Sequence, residues 1–308
     1  MPPFILHHYD GSPFAEKIRL ILGFKKLVWA SVKIPVIMPK PDVVALTGGY
    51  RRTPLLQVGA DVYCDTALIA RVLEHAQPTP ELFPASAPLA TVVAQWADST
   101  LFWTAIPYTM QPAGMATVFA GLPPEVLKAF AADRAPFTAG VKRQTLADAT
   151  ANLRGYLAAL DAQLADGRPW LMGADASIAD FSVAHCAWYV QRGGPVAEIL
   201  KPHTLFSAWL ERMLALGHGT SDKMSSGEAL AVSAAATGHA PCSVTAGLGF
   251  EPGAAVTVTP IDYGQDPVAG TLVGLSNDEV VLRRRDERAG TVHVHFPRAG
   301  YQVKKEQV

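Results

Sequence analysis

Three short groups within the first 75 residues carry side chains able to do chemistry: Ser12-Pro13-Phe14, Arg52-Thr53-Pro54 and Asp65-Thr66. Ser12 follows the apolar-rich run Phe4-Ile5-Leu6-His7-His8-Tyr9 and precedes a stretch carrying Ile18, Leu20, Ile21 and Leu22. Ser is a favoured N-cap and Pro a favoured first helical residue, so the chain is expected to turn from strand to helix at Ser12. A hydroxyl there, beside the free N–H groups and positive end of a helix, favours a nearby anion. Thr53-Pro54 reads as a tight bend into the strand Leu55-Leu56-Gln57-Val58-Gly59. Asp65-Thr66 opens the helix Ala67-Leu68-Ile69-Ala70-Arg71-Val72-Leu73-Glu74, where a hydroxyl and helix N–H groups suit a carboxylate and an Asp suits an ammonium. Taken singly, each group also has a plain structural account: a helix start, a strand-initiating proline, an Asx-type cap.

The elements around these groups change character twice. The three prolines of Gln77-Pro78-Thr79-Pro80-Glu81-Leu82-Phe83-Pro84 end a first region. Helical periodicity follows, in Leu89, Val92, Val93, Trp96, Thr100 and Trp103, then in Leu146, Ala149, Leu153, Leu157, Leu160 and Leu164, and later in Leu205, Trp209, Leu210 and Met213. Pro107 is expected to kink or end the first of these helices. Ser177, three residues before Asp180, forms a capping-box pattern that nucleates a helix and does no chemistry. A softer seam at Gly217-His218-Gly219-Thr220-Ser221-Asp222 leads to a short Ala-rich helix. Beyond Ala254 the chain is strand and turn, about five short strands in some 55 residues, the pattern of a small SH3-like or OB-like barrel.

The strand–helix–strand–helix, then strand–strand–helix order over residues 1–78 resembles the thioredoxin-like domain of the cytosolic glutathione transferases. Residues 86–236 resemble that family's all-helical domain in size and order, whereas residues 245–308 have no counterpart in its architecture. The resemblance thus implies an α+β multidomain chain: a thioredoxin-like α/β domain, an all-helical domain, and a small SH3/OB-like β-barrel extension of unknown role. It implies glutathione as co-substrate and a serine-type enzyme in which Ser12 stabilises the thiolate of a thiol whose ordinary pKa is about 8.5. It further implies that Pro54 is cis and that Thr53 pairs through its backbone with the peptide ligand, while Asp65 and Thr66 hold the γ-glutamyl end. Arg52 and Lys40 fall near the glycyl end, although the family's usual Asn-Pro-x-Gly-Lys-x-Pro run is replaced here by Gly49-Tyr50-Arg51-Arg52-Thr53-Pro54. Phe14, Trp103, Tyr108 and Met110, with Trp188 behind them, are the residues expected to line the electrophile pocket.

Composition narrows the partners. At 308 residues, 49% hydrophobic and 17% charged, the chain has the make-up of a packed globular protein, and a net charge of −1 gives no global field for nucleic acid or an anionic membrane. Three scattered cysteines, Cys64, Cys186 and Cys242, make neither a disulfide framework nor a zinc knuckle. No apolar run approaches the ~18 residues of a membrane span, and the opening lacks a basic leader region, so a cytoplasmic location is expected. His7 and His8 alternate in a strand and cannot share a metal, and His293 and His295 share a face without a carboxylate or cysteine at suitable spacing, so no metal is expected. Arg283-Arg284-Arg285 is expected on a charge-protected edge strand, since residues 237–308 hold seven Lys/Arg against eight Asp/Glu.

The resulting expectation is a glutathione transferase acting on a small-molecule electrophile as a two-fold homodimer, with attack of the thiolate on a soft carbon. Glutathione-dependent isomerisation or dehalogenation would use the same thiolate. A thiol–disulfide reductase would need a cysteine where Ser12 stands. A non-catalytic binding or scaffold protein on the same fold is the rival from another class.

Overall fold

The computed structural model describes residues 4–306. Its first part runs β1 (Phe4–His8), α1 (Pro13–Phe24), β2 (Val28–Lys33), α2 (Pro41–Thr47), β3 (Leu55–Val58), β4 (Asp61–Cys64) and α3 (Thr66–Ala76). β1 pairs in parallel with β2 and antiparallel with β3, which in turn pairs antiparallel with β4. The two adjacent histidines of β1 point to opposite faces as a strand requires. His7 Nε2 lies 2.8 Å from Gln57 Oε1, and His8 Nε2 lies 2.9 Å from Ser31 Oγ.

The helical part holds α4 (Ala90–Trp96), α5 (Phe102–Thr109), α6 (Pro112–Val118), α7 (Pro124–Phe137), α8 (Leu146–Gln163), α9 (Ile178–Gln191) and α10 (Thr204–Ala215). A π-helical turn, Ala97–Leu101, joins α4 to α5 without a break, and α5 ends two residues after Pro107. The apolar spacing at Leu89 and Val92 does not mark the core. Both are about three-fifths exposed, while the small residues Ala90, Ala94, Ala97 and Ala105 are buried and let α9 approach closely. Ser177 and Asp180 form the expected capping box at α9, and Asp180 Oδ1 also accepts the Leu171 N–H (2.8 Å) and the Trp209 indole N–H (2.9 Å).

The remainder contains β5 (Thr220–Met224), α11 (Ser226–Ala235), β6 (Ala255–Pro260), β7 (Val268–Leu275), β8 (Glu279–Asp286), β9 (Gly290–Pro297) and β10 (Tyr301–Lys305). β6–β9 form an antiparallel meander, and β10 returns to pair with β6, as in a small barrel. Instead of closing on itself, the meander joins the first sheet. β9 pairs in parallel with β4, Asp61 opposite His293 and Tyr63 opposite His295, and β5 pairs in parallel with β2 at the far edge. One ten-stranded sheet results, ordered β10-β6-β7-β8-β9-β4-β3-β1-β2-β5. Arg283, Arg284 and Arg285 therefore lie on an interior strand between β7 and β9, a correction to the edge position expected from their charge; Arg284 Nε donates to the Ala269 carbonyl at 2.9 Å.

Two apolar cores lie in this assembly. One packs α1 and α3 against the helical part, around Ile18, Leu22, Ile69, Phe181 and Trp209. The other joins β1–β4, α2 and α11 to the β extension, around Ile5, Leu46, Leu55, Val258, Val294 and Phe296. Burying several such side chains, each worth about 1.5–3 kcal/mol, makes the extension part of the body rather than a tethered bead. No helix among the described residues is long and apolar enough to cross a membrane.

Candidate functional site

The local geometry of the three amino-terminal groups follows from their sequence. Ser12 is the N-cap of α1, its Oγ accepting the Ala15 N–H at 3.2 Å, with Pro13 in the first turn. The Thr53–Pro54 peptide is cis and leads directly into β3. Asp65 caps α3, with Oδ1 accepting the Ala67 N–H at 2.9 Å. Asp65 also has φ 75°, a backbone conformation that is costly for a residue other than glycine.

A cleft of about 270 Å³ opens where these elements meet the π-helical turn. Thr53, Pro54, Asp65 and Thr66 form one wall, continued by Phe14 and Lys17 of α1 and by Asp98 of the π-helical turn. The β extension supplies the roof through Asp262, Tyr263 and Gly300. Lys17 and Asp98 join the expected residues only through the fold. Lys17 is fully buried, and its Nζ donates to Asp98 Oδ2 at 2.6 Å and to Thr66 Oγ1 at 3.3 Å. His185 Nε2 donates to the other Asp98 oxygen at 3.0 Å. Burial opposes ionisation of Asp98, but the Lys17 ammonium and the His185 N–H outweigh it and hold the carboxyl at about 2. The one signal for Lys17 in sequence is a lone cation on the apolar face of α1, three residues after Phe14.

The remaining expected residues divide between the cleft and its surroundings. Arg52 lines the cleft but turns toward the extension: it bonds the Asp262 carboxylate and the Tyr263 carbonyl, and its guanidinium lies 3.9 Å from the Tyr263 ring centroid. Tyr301 donates its hydroxyl to Asp65 Oδ2 at 3.0 Å. Lys40 does not line the cleft; it sits behind it, donating to Thr53 Oγ1 at 3.4 Å, and burial with the nearby Arg134 charge lowers its ammonium to about 8. Ser12 is also behind the wall, 2% exposed and close to Tyr9.

Of the four aromatic and Met residues expected around an electrophile, only Phe14 lines the cleft. Trp103 packs edge-on against Tyr263, with ring centroids 5.2 Å apart, one layer behind the roof. Tyr108 is buried and donates to the Val196 carbonyl at 2.8 Å, and Met110 Sδ accepts the Tyr189 hydroxyl at 3.4 Å; both serve the helical core. Trp188 lies under the Arg192 guanidinium, outside the cleft.

Comparison with known proteins agrees with this architecture. Residues 6–81 match the glutathione S-transferase N-terminal domain family and residues 143–212 the glutathione S-transferase C-terminal domain family. A search of proteins with curated functions gives no match. The crystal structure of a GST-like protein from Pseudomonas syringae is 40% identical over 99% of this chain and 100% of its own, with a TM-score of 0.83, so the likeness includes the β extension. Glutathione S-transferase III in its apo form is 21% identical over 69% of this chain and 92% of its own, with a TM-score of 0.53. A glutathione S-transferase from Rhodospirillum rubrum is 19% identical over 69% of this chain and 88% of its own, with a TM-score of 0.52. These last two share the fold. With two matching domains and a relative that is similar along its whole length, the chain belongs to the glutathione S-transferase family.

Proposed function

We propose that this chain is a glutathione transferase whose cleft holds the γ-glutamyl end of glutathione at the start of α3. The observation carrying this reading is the arrangement of charge around one cleft: the Thr66 hydroxyl and Lys17 ammonium beside the Asp65 and Asp98 carboxylates. An amino-acid zwitterion is complementary to that set. Its carboxylate meets Thr66 and the free N–H groups of α3, with the buried Lys17 ammonium behind Thr66 adding its field, and its ammonium meets Asp65 and Asp98. The backbone of Asp65 supports the same reading, since a φ of 75° costs about 1–3 kcal/mol and such strain clusters at ligand sites.

In this reading the Thr53 main chain meets the cysteinyl backbone in strand fashion, with Arg52 and Lys40 on the glycyl side. Ser12 accepts the Ala15 N–H and donates its own hydrogen to the sulfur, and the start of α1 adds the field of its free N–H groups. Glutathione supplies the thiol, which loses its proton to solvent. The thiolate forms a thioether with a soft electrophile, either by adding to an activated double bond that then takes up a proton or by displacing a leaving group such as halide. Phe14 lies where that electrophile enters. Two observations favour a second reading, a glutathione-binding protein without turnover: Ser12 is almost wholly covered, and Tyr301 already occupies one Asp65 oxygen.

Steady-state conjugation of glutathione to an activated aryl halide tests both readings. Ser12→Ala is expected to lower kcat about tenfold or more with little change in KM for glutathione. Asp65→Asn, which tolerates the positive φ, is expected to raise that KM with a smaller effect on kcat. Glutathione binding without turnover against a panel of aryl, alkyl and enone electrophiles would favour the second reading, and full activity in a folded Ser12→Ala protein would remove Ser12 from the mechanism.

A further inference from the structure

Away from the cleft, the junction between β4 and β9 gathers an unusual set of polar side chains. Asp61 opens β4 and is 5% exposed, its Oδ2 accepting the Ala240 N–H at 2.9 Å. Directly opposite in register stands His293 of β9, and His239 comes in from the segment after α11. His239 Nδ1 lies 3.8 Å and His293 Nδ1 3.9 Å from the same atom, Asp61 Oδ1. The two imidazoles stack at a centroid distance of 3.7 Å and an interplanar angle of 14°. Both Nδ1 atoms are sealed from solvent and have no hydrogen-bond partner among the described residues. This is also the one group of three metal-ligating side chains among the described residues whose donor atoms lie within 4.8 Å of one another.

As the side chains stand, both Nδ1 atoms lack a partner among the described residues, because at 3.8 and 3.9 Å they are too far from Asp61 Oδ1 to hydrogen-bond. A dication between them supplies that partner. Ligand atoms about 2.0–2.2 Å from a tetrahedral ion are about 3.3 Å apart, and each imidazole must hold the ion in its ring plane. Binding therefore closes the two Asp61–histidine distances by about half an ångström and turns the rings out of their stack.

We propose that Asp61, His239 and His293 bind a divalent transition metal of the zinc type, leaving one position open to water. Two imidazole nitrogens and one carboxylate oxygen suit a borderline cation, whereas magnesium and calcium take all-oxygen sets. The surroundings orient the ligands as such sites require. His295 lies between two carboxylates, with Nε2 2.9 Å from Asp61 Oδ1 and Nδ1 2.7 Å from Glu279 Oε1, which fixes the Asp61 carboxylate. The sequence spacing of His293 and His295 offers no carboxylate, because Asp61 and His239 are supplied by other segments of the fold. The ion ties together β4, the segment after α11 and β9, and so pins the extension to the first domain across a parallel pairing of only three residue pairs.

The test uses the tag-free 308-residue chain after chelator treatment, titrated with Co²⁺ or with Zn²⁺ alone. Expected are one equivalent of metal per chain, the ligand-field bands of a four-coordinate Co²⁺, and a rise in the thermal midpoint with Zn²⁺. His239 lies outside every strand, so His239→Ala should fold normally and bind on the order of a hundredfold more weakly or worse, with no Zn²⁺-dependent thermal shift. His295→Gln, which keeps an amide against Asp61, should weaken binding by about 10–100-fold. Absence of stoichiometric Co²⁺ and Zn²⁺ binding by the folded wild-type chain, or binding that His239→Ala leaves unchanged, would overturn the proposal.

Discussion

At the scale of single residues, the cleft depends on a buried ion pair. Lys17 has no exposed surface and, among the described residues, one carboxylate partner, Asp98, which Lys17 and His185 hold in its charged form. Removing one member of a buried pair strands the other and costs about 3–5 kcal/mol, so Asp98→Asn is expected to destabilise the fold by that order at pH 7. The pH dependence follows from the depressed carboxyl. With a folded pKa of about 2 against an ordinary 3.8, Asp98 adds stability above pH ~4, and that part disappears as the pH falls toward 2. Urea unfolding of both proteins across this range should show the difference narrowing as the solution is acidified; a gap of constant size would mean that Asp98 is not the ionised partner of Lys17. The residues that carry this network are hard to see in the sequence. Ser12, Thr53 and Asp65 advertise themselves through neighbouring prolines and caps, whereas Lys17 and Asp98 are ordinary members of helices until the fold sets them face to face, 81 positions apart.

Elements specified by local signals were legible, and elements specified by distant partners were not. The order from β1 to α3 follows from Ser12-Pro13, Thr53-Pro54 and Asp65-Thr66, each a local start or bend. The strands after Ala254 follow from alternation and turn residues. β5 has neither signal: Thr220-Ser221-Asp222-Lys223-Met224 is largely exposed and becomes a strand by pairing with β2. The β4–β9 junction joins residues more than 230 positions apart, and no periodicity announces it. The segment between α11 and β6 is likewise tied down: Ala240 N–H donates to Asp61, Thr245 N–H to the Leu275 carbonyl, and Gly253 N–H to the Leu272 carbonyl. Limited proteolysis is therefore expected to cut residues 238–253 slowly, and residues 1–236 expressed alone are expected to lose the cooperative fold, because β4 and the second core would be uncovered. Rapid cleavage there, leaving a stable and active 1–236 fragment, would show an independent appendage.

Across the whole molecule, the continuous sheet places an extension foreign to the two matched domains directly above their shared cleft. Arg52 and Asp65 line the cleft and also reach Tyr263 and Tyr301 of that extension, so the roof and the ligand wall form one hydrogen-bonded unit. The two matched domains and the full-length relative assign the family; the proposal beyond it is that the cleft under this roof is a glutathione site built on Thr66, Lys17, Asp65 and Asp98. Calorimetric titration of the full chain with reduced glutathione tests that claim most directly. The account predicts saturable binding of one glutathione per chain, weakened about tenfold or more in Thr66→Val, equivalent to about 1.4 kcal/mol. No heat of binding at millimolar glutathione, or an affinity that Thr66→Val leaves unchanged, would contradict it.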